Sequence, residues 1–150
     1  MMMKKIIVLT AILIGSMTVS KAQELGIRFG DVLGNDVAID GVFSLGEFSR
    51  LHADVTFGDQ AGQSTFGVEV LYDFLYKPLG DTPGLNWYVG AGPSVLFAND
   101  TWIGASGELG LEYHFDFPLA IGADWRPTFW LIQDTDFIAD SFGMNLRYVF

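Results

Sequence analysis

From residue 24 onward, large apolar residues alternate with small or charged ones along almost the whole chain. The alternation falls into eight segments, roughly 24–30, 36–45, 50–58, 64–74, 85–97, 102–113, 118–130 and 141–150. On one parity stand Leu25, Ile27 and Phe29, then Val37, Ile39 and Phe43, and finally Phe142, Met144, Leu146, Tyr148 and Phe150. Period two sustained over runs of this length predicts β-strands, and helical spacing fits none of them well.

The opposite parity holds a different set. It carries Arg28, Asp40, Arg50, His52, Asp54, Glu69, Asp73, Glu108, Glu112, Asp124, Arg126, Asn145 and Arg147, interspersed with glycines and serines. Each strand thus has one bulky apolar face and one face that is small or ionic. An eight-stranded barrel has an interior only just filled by side chains. It has no room for the large apolar set, many of them aromatic. Glycines would also weaken strands on a solvent face without adding solubility. Turned the other way, small residues relieve crowding inside, charges pair there, and the apolar face meets lipid. The expected fold is all-β: an eight-stranded antiparallel up-and-down transmembrane β-barrel, closed so that no strand edge is left unsatisfied.

Aromatic positions sharpen this expectation. With both termini on one side, one end of the strands carries Phe29, Phe57, Phe66, Phe97, Phe129 and Phe142. The other carries Phe43, Tyr72, Phe74, Trp87, Tyr113, Tyr148 and Phe150. Aliphatic residues such as Ile27, Ile39, Val55, Val68 and Leu146 lie between. Two aromatic girdles around an aliphatic waist suit a barrel crossing a bilayer.

The first residues change the picture by adding an address. "MMMKK", the apolar run "IIVLTAILIG" and small residues at Ser20 and Ala22 have the layout of a secretory signal peptide over residues 1–22, cleaved before Gln23. Its apolar run is too short to span a bilayer as a helix. Removing 22 of the 150 residues leaves 128, a single domain over residues 23–150. Three of the eight basic residues leave with the leader, so five remain against eighteen acidic ones, a net charge of about −13. Nucleic acid is thereby excluded as a partner, since its binding needs clustered Lys and Arg. With no cysteine, disulfides and lipid attachment at cysteine are excluded as well.

The pattern resembles the small eight-stranded outer-membrane barrels of Gram-negative bacteria, of the OmpA transmembrane-domain and OmpX type. The likeness spans residues 23–150, and its local element is "FGMNLRYVF". The resemblance implies that Phe150, with Phe142, Met144, Leu146 and Tyr148, is a signal read by the outer-membrane assembly machinery. It implies residence in the bacterial outer membrane among lipids and lipopolysaccharide, as a monomer. Connections at one end, "DVLGND", "GDQAGQ", "ANDT" and "IQDTDFIAD", are shorter than is usual in that family, which argues against adhesion or receptor roles. Pro93 and Pro127 cannot donate to a ladder, so local irregularity is expected at both.

Inside, the acids outnumber Arg28, Arg50, Arg126, Arg147 and His52, so a ladder of Arg–carboxylate pairs plugging the lumen is expected. The alternative is a narrow cation-preferring pore. "DTD" at 134–136 could bridge divalent cations to lipopolysaccharide phosphates, although no calcium-loop spacing is complete. A lipid A-modifying enzyme would need a nucleophile beside a base. His52 is better explained by the interior network, and neither His114 nor Ser106 has a suitable setting. No catalytic, cofactor or metal role is expected.

Overall fold

The computed structural model of the protein describes residues 23–150; the leader expected over residues 1–22 lies outside them. Among the described residues the elements are ten strands: β1 (Gln23–Val32), β2 (Asn35–Ser44), β3 (Arg50–Gln60), β4 (Gln63–Pro78) and β5 (Leu85–Phe97), then β6 (Thr101–His114), β7 (Leu119–Trp125), β8 (Thr128–Ile132), β9 (Asp136–Ile138) and β10 (Phe142–Val149). All pairings are antiparallel. Neighbours in sequence pair from β1 to β6, β6 pairs β7 and β8, and β10 joins β7 to β1. The result is a closed eight-stranded up-and-down barrel. Its seventh stave is β7 plus β8, and its eighth is β9 plus β10.

The break in the seventh stave falls at Arg126 and Pro127, where the ring removes a ladder donor. Register against β6 nonetheless carries on, held by a hydrogen bond from the Gly107 amide to the Pro127 carbonyl at 2.9 Å. At Pro93 the outcome is milder. Pairing with β4 lapses between Ser94 and Ala91 without a change of register, and pairing with β6 is unbroken.

One rim carries Gln23, Phe150 and the connections β2–β3, β4–β5 and β6–β7; it is called the lower rim below. The upper rim carries β1–β2, β3–β4, β5–β6 and β8–β9. Two upper connections are minimal hairpins. Leu33 and Gly34 have φ of 53° and 85°, and Ala61 and Gly62 have φ of 54° and 80°. Positive φ at both central residues matches the twist of the flanking strands. In each, an aspartate three residues before the glycine accepts the glycine amide: Asp31 at 2.7 Å and Asp59 at 2.9 Å.

Side-chain distribution is inverted relative to a water-soluble globule. Among the described residues, buried polar and charged residues outnumber buried hydrophobic ones more than twofold. The outer face is apolar. Register threads an aliphatic belt around it, from Ile121 through Leu146, Ile27, Ile39, Val55 and Val68 to Val95 and Ile103. Toward the upper rim Phe57, Phe66 and Phe97 face one another across neighbouring strands, with ring centroids 5.2 and 5.9 Å apart. Phe29, Phe129 and Phe142 are also exposed at that end. Toward the lower rim stand Phe43, Tyr72, Phe74, Trp87, Tyr113, Tyr148 and Phe150, exposed or half-buried.

Candidate functional site: the charged lumen

The alternation that paints the outer face apolar sends the other parity inward. Room for large ionic groups comes from glycines across the ladder. Tyr88 stands opposite Gly110, Asp73 opposite Gly90, and Asn145 opposite Gly122. A Cβ at Gly110 would lie 2.2 Å from the Tyr88 ring, and one at Gly143 would lie 2.5 Å from the Arg28 guanidinium. These glycines are therefore packing residues, and each belongs to a particular bulky partner.

All twelve residues assigned to the interior from the sequence are buried: Arg28, Asp40, Arg50, His52, Asp54, Glu69, Asp73, Glu108, Glu112, Asp124, Arg126 and Arg147. They form one connected network in tiers. In the lowest, Arg50 donates to Asp73 at 2.6 Å and to Glu112, with Glu24 at 3.6 Å. Its guanidinium carbon sits 4.2 Å from the Tyr76 ring centroid and 4.4 Å from that of Tyr88. Arg147 binds Glu112 and, at 3.2 Å, Asp40. His114 pairs with Glu24 at 2.7 Å.

In the middle tier the His52 ring nitrogens face Asp40 and, at 3.1 Å, Glu108. Arg126 gathers four carboxylates: Asp54 at 2.5 Å, Glu69 at 3.0 Å, Glu108 at 3.1 Å and Asp124 at 3.3 Å. Arg28 closes on Asp124 at 2.6 Å and donates to the Asp31 carbonyl at 2.6 Å. Above lies a run of hydroxyls. Ser94 donates to Glu69 at 3.1 Å and meets Ser106 at 2.6 Å, which meets Thr128 at 2.8 Å. An apolar cap of Val32, Leu33, Ala38, Leu96 and Trp130 finishes the interior near the upper rim.

Three groups bring carboxylates and imidazole close enough for a metal: Glu24, Glu112 and His114; Asp40, His52 and Asp54; and His52, Asp73 and Glu108. Guanidiniums already serve these groups, which opposes adding a cation. Open space is found at both ends. A recess of about 70 Å³ at the lower rim stops at Arg50 and Tyr76. A larger cleft of about 450 Å³ opens at the upper rim above Thr128 and Trp130.

Parity reading missed several of these groups. Glu24 shares the inward parity of Arg28 but stands at the start of its strand, where position alone does not show burial. Leu71, Tyr88, Leu96 and Trp130 point inward although apolar or aromatic. Their parity was legible, but their side-chain class masked it. Tyr76 faces Arg50 because a bulge between Asp73 and Leu75 shifts register by one, which reverses the alternation beyond it. No protein-family model matches the chain, and no curated protein matches it either.

Proposed function

We propose that the protein is an integral barrel of the bacterial outer membrane, of the OmpA transmembrane-domain and OmpX kind, whose role is structural or interactive rather than catalytic. The carrying observation is the inversion: Ile27, Ile39, Leu109, Leu146 and their neighbours are about half exposed, while the ionic residues of the opposite strand parity are buried inside. In water this arrangement would leave a continuous apolar girth, far larger than the patches soluble monomers tolerate. In lipid it is the favourable one, and the closed ladder leaves no edge for the bilayer to satisfy.

The lumen is then a plug. Glu24, Asp40, Asp54, Glu69, Asp73, Glu108, Glu112 and Asp124 surround four guanidiniums and the imidazoles of His52 and His114, interlocked from wall to wall. The excess of acids is completed by protons or water. The outward series Phe142, Met144, Leu146, Tyr148 and Phe150 along and just past β10 supports recognition by the outer-membrane assembly machinery, and the closed ring of eight staves supports a monomer. The test is production of the full chain in a Gram-negative host, with fractionation and gel mobility before and after boiling. The protein is expected in the detergent-extracted envelope with heat-modifiable mobility; recovery from the aqueous periplasmic fraction would remove the membrane reading. Planar bilayers should show no steady conductance, and ohmic steps at neutral pH would remove the plug.

A further inference from the structure

The upper cleft is unlike the rest of the lumen. Its volume, about 450 Å³, lies within the range of small-ligand sites. Leu33, Leu96, Ile138, Trp102 and Trp130 give it apolar walls, and the two indoles meet edge-on with centroids 6.0 Å apart. Asp31 and Asp136 are the ionisable groups on its lining, which includes no Lys or Arg. Asp36, Asp59, Asp100, Asp134 and Asp140 extend the negative field around the same rim. Below, Arg28 and Arg126 are each matched by carboxylates and do not cancel that field.

The wall is also incomplete here. β1 and β10 pair only as far as Gly30 and Gly143, and above that level β9 pairs with β8 alone. A side-chain bond from Ser141 to Asp31 at 2.6 Å marks the last tie across the gap. The cleft therefore opens toward the top and lies beside a slot between the β1–β2 and β8–β9 hairpins.

We propose that this cleft binds a small organic cation, an alkylammonium group, with its methyl or methylene surface on Trp102, Trp130 and Leu96 and its charge facing Asp136. Aromatic faces attract such cations through the ring quadrupole, and the effect strengthens where water is excluded. The acidic rim raises the local concentration of any cation before it docks. An anionic ligand meets no cationic group in the lining. The inference rests on the cleft alone and not on where the barrel resides.

The experiment is a titration of the protein, folded in neutral detergent micelles, with choline as the probe, following the indole N–H signals of Trp87, Trp102, Trp125 and Trp130 by NMR. Choline should move the Trp102 and Trp130 signals along a saturable curve while Trp87, at the lower rim, stays fixed. The uncharged isostere 3,3-dimethylbutan-1-ol should need at least about fivefold more ligand. Asp136→Asn keeps an oxygen to accept the Phe137 amide, so the fold is expected to persist and affinity to fall about two- to fivefold. Glu47→Gln, on the β2–β3 connection, should leave it unchanged. Equal response to the two ligands, an unaltered Asp136→Asn curve, or no saturable shift would each overturn the proposal.

Discussion

Arg126 shows at the scale of one residue why the lumen holds together. It is 2% exposed and touches four carboxylates contributed by β3, β4, β6 and β7. Removing one partner of a buried ionic cluster costs more than the pair itself contributes, because the remaining charge stays desolvated. Arg126→Leu is therefore expected to lower stability by about 3–5 kcal/mol, read from urea unfolding midpoints of the protein in lipid vesicles. A loss below about 1 kcal/mol would mean that water already screens this centre. Gly110 makes the complementary point about volume. Gly110→Ala drives a methyl into the Tyr88 ring and should cost about 1–3 kcal/mol. Adding Tyr88→Leu should recover part of that loss, giving a favourable coupling in a double-mutant cycle. Purely additive losses would break the link between glycine and ring.

Among the elements, the strands were the legible part and their interruptions were legible only where a proline marks them. All eight staves follow from alternation, because a half-buried wall writes its two faces into alternate residues. Pro127 announces the break between β7 and β8, since its chemistry is local. The bulge at Phe74 leaves no such mark, as nothing between Asp73 and Leu75 demands an extra residue, and so Tyr76 was not placed inside. The upper cleft was hidden for a related reason. Trp102 and Trp130 carry inward parity, but only the registers of β6 and β8 bring them together. The short upper hairpins could be read from their glycines. A Cβ at Gly62 would meet nothing within 4 Å, yet its φ is 80°. Gly62→Ala should thus cost about 1 kcal/mol from backbone conformation alone, measured as a shift in unfolding midpoint. Wild-type stability in that variant would show that the turn relaxes into another geometry.

For the whole molecule, the two environments proposed for its surfaces make opposite demands on one substitution. Ile39 sits in the aliphatic belt and is 52% exposed. In water Ile39→Lys would be close to neutral, as exposed substitutions usually are. At the middle of a bilayer it should cost about 2–4 kcal/mol. Unfolding the variant and the parent in vesicles measures that cost, and a neutral result would contradict lipid contact at the belt.

The ionic network also reaches across the chain. Arg28 in β1 is joined to Asp124 in β7, Arg147 in β10 to Asp40 in β2, and Arg126 to Asp54 in β3. Arg50 and Asp73 pair within one hairpin, but Asp124 lies across the ring closure from Arg28, and Asp40 from Arg147, so on the proposed membrane reading a half-built sheet would enter lipid with those guanidiniums uncompensated. Stepwise insertion, one hairpin after another, would then be disfavoured for those two residues. For Arg28 and Arg147 charge compensation is complete only when first and last staves meet, which on the proposed membrane reading would tie entry into lipid to ring closure as a single cooperative event.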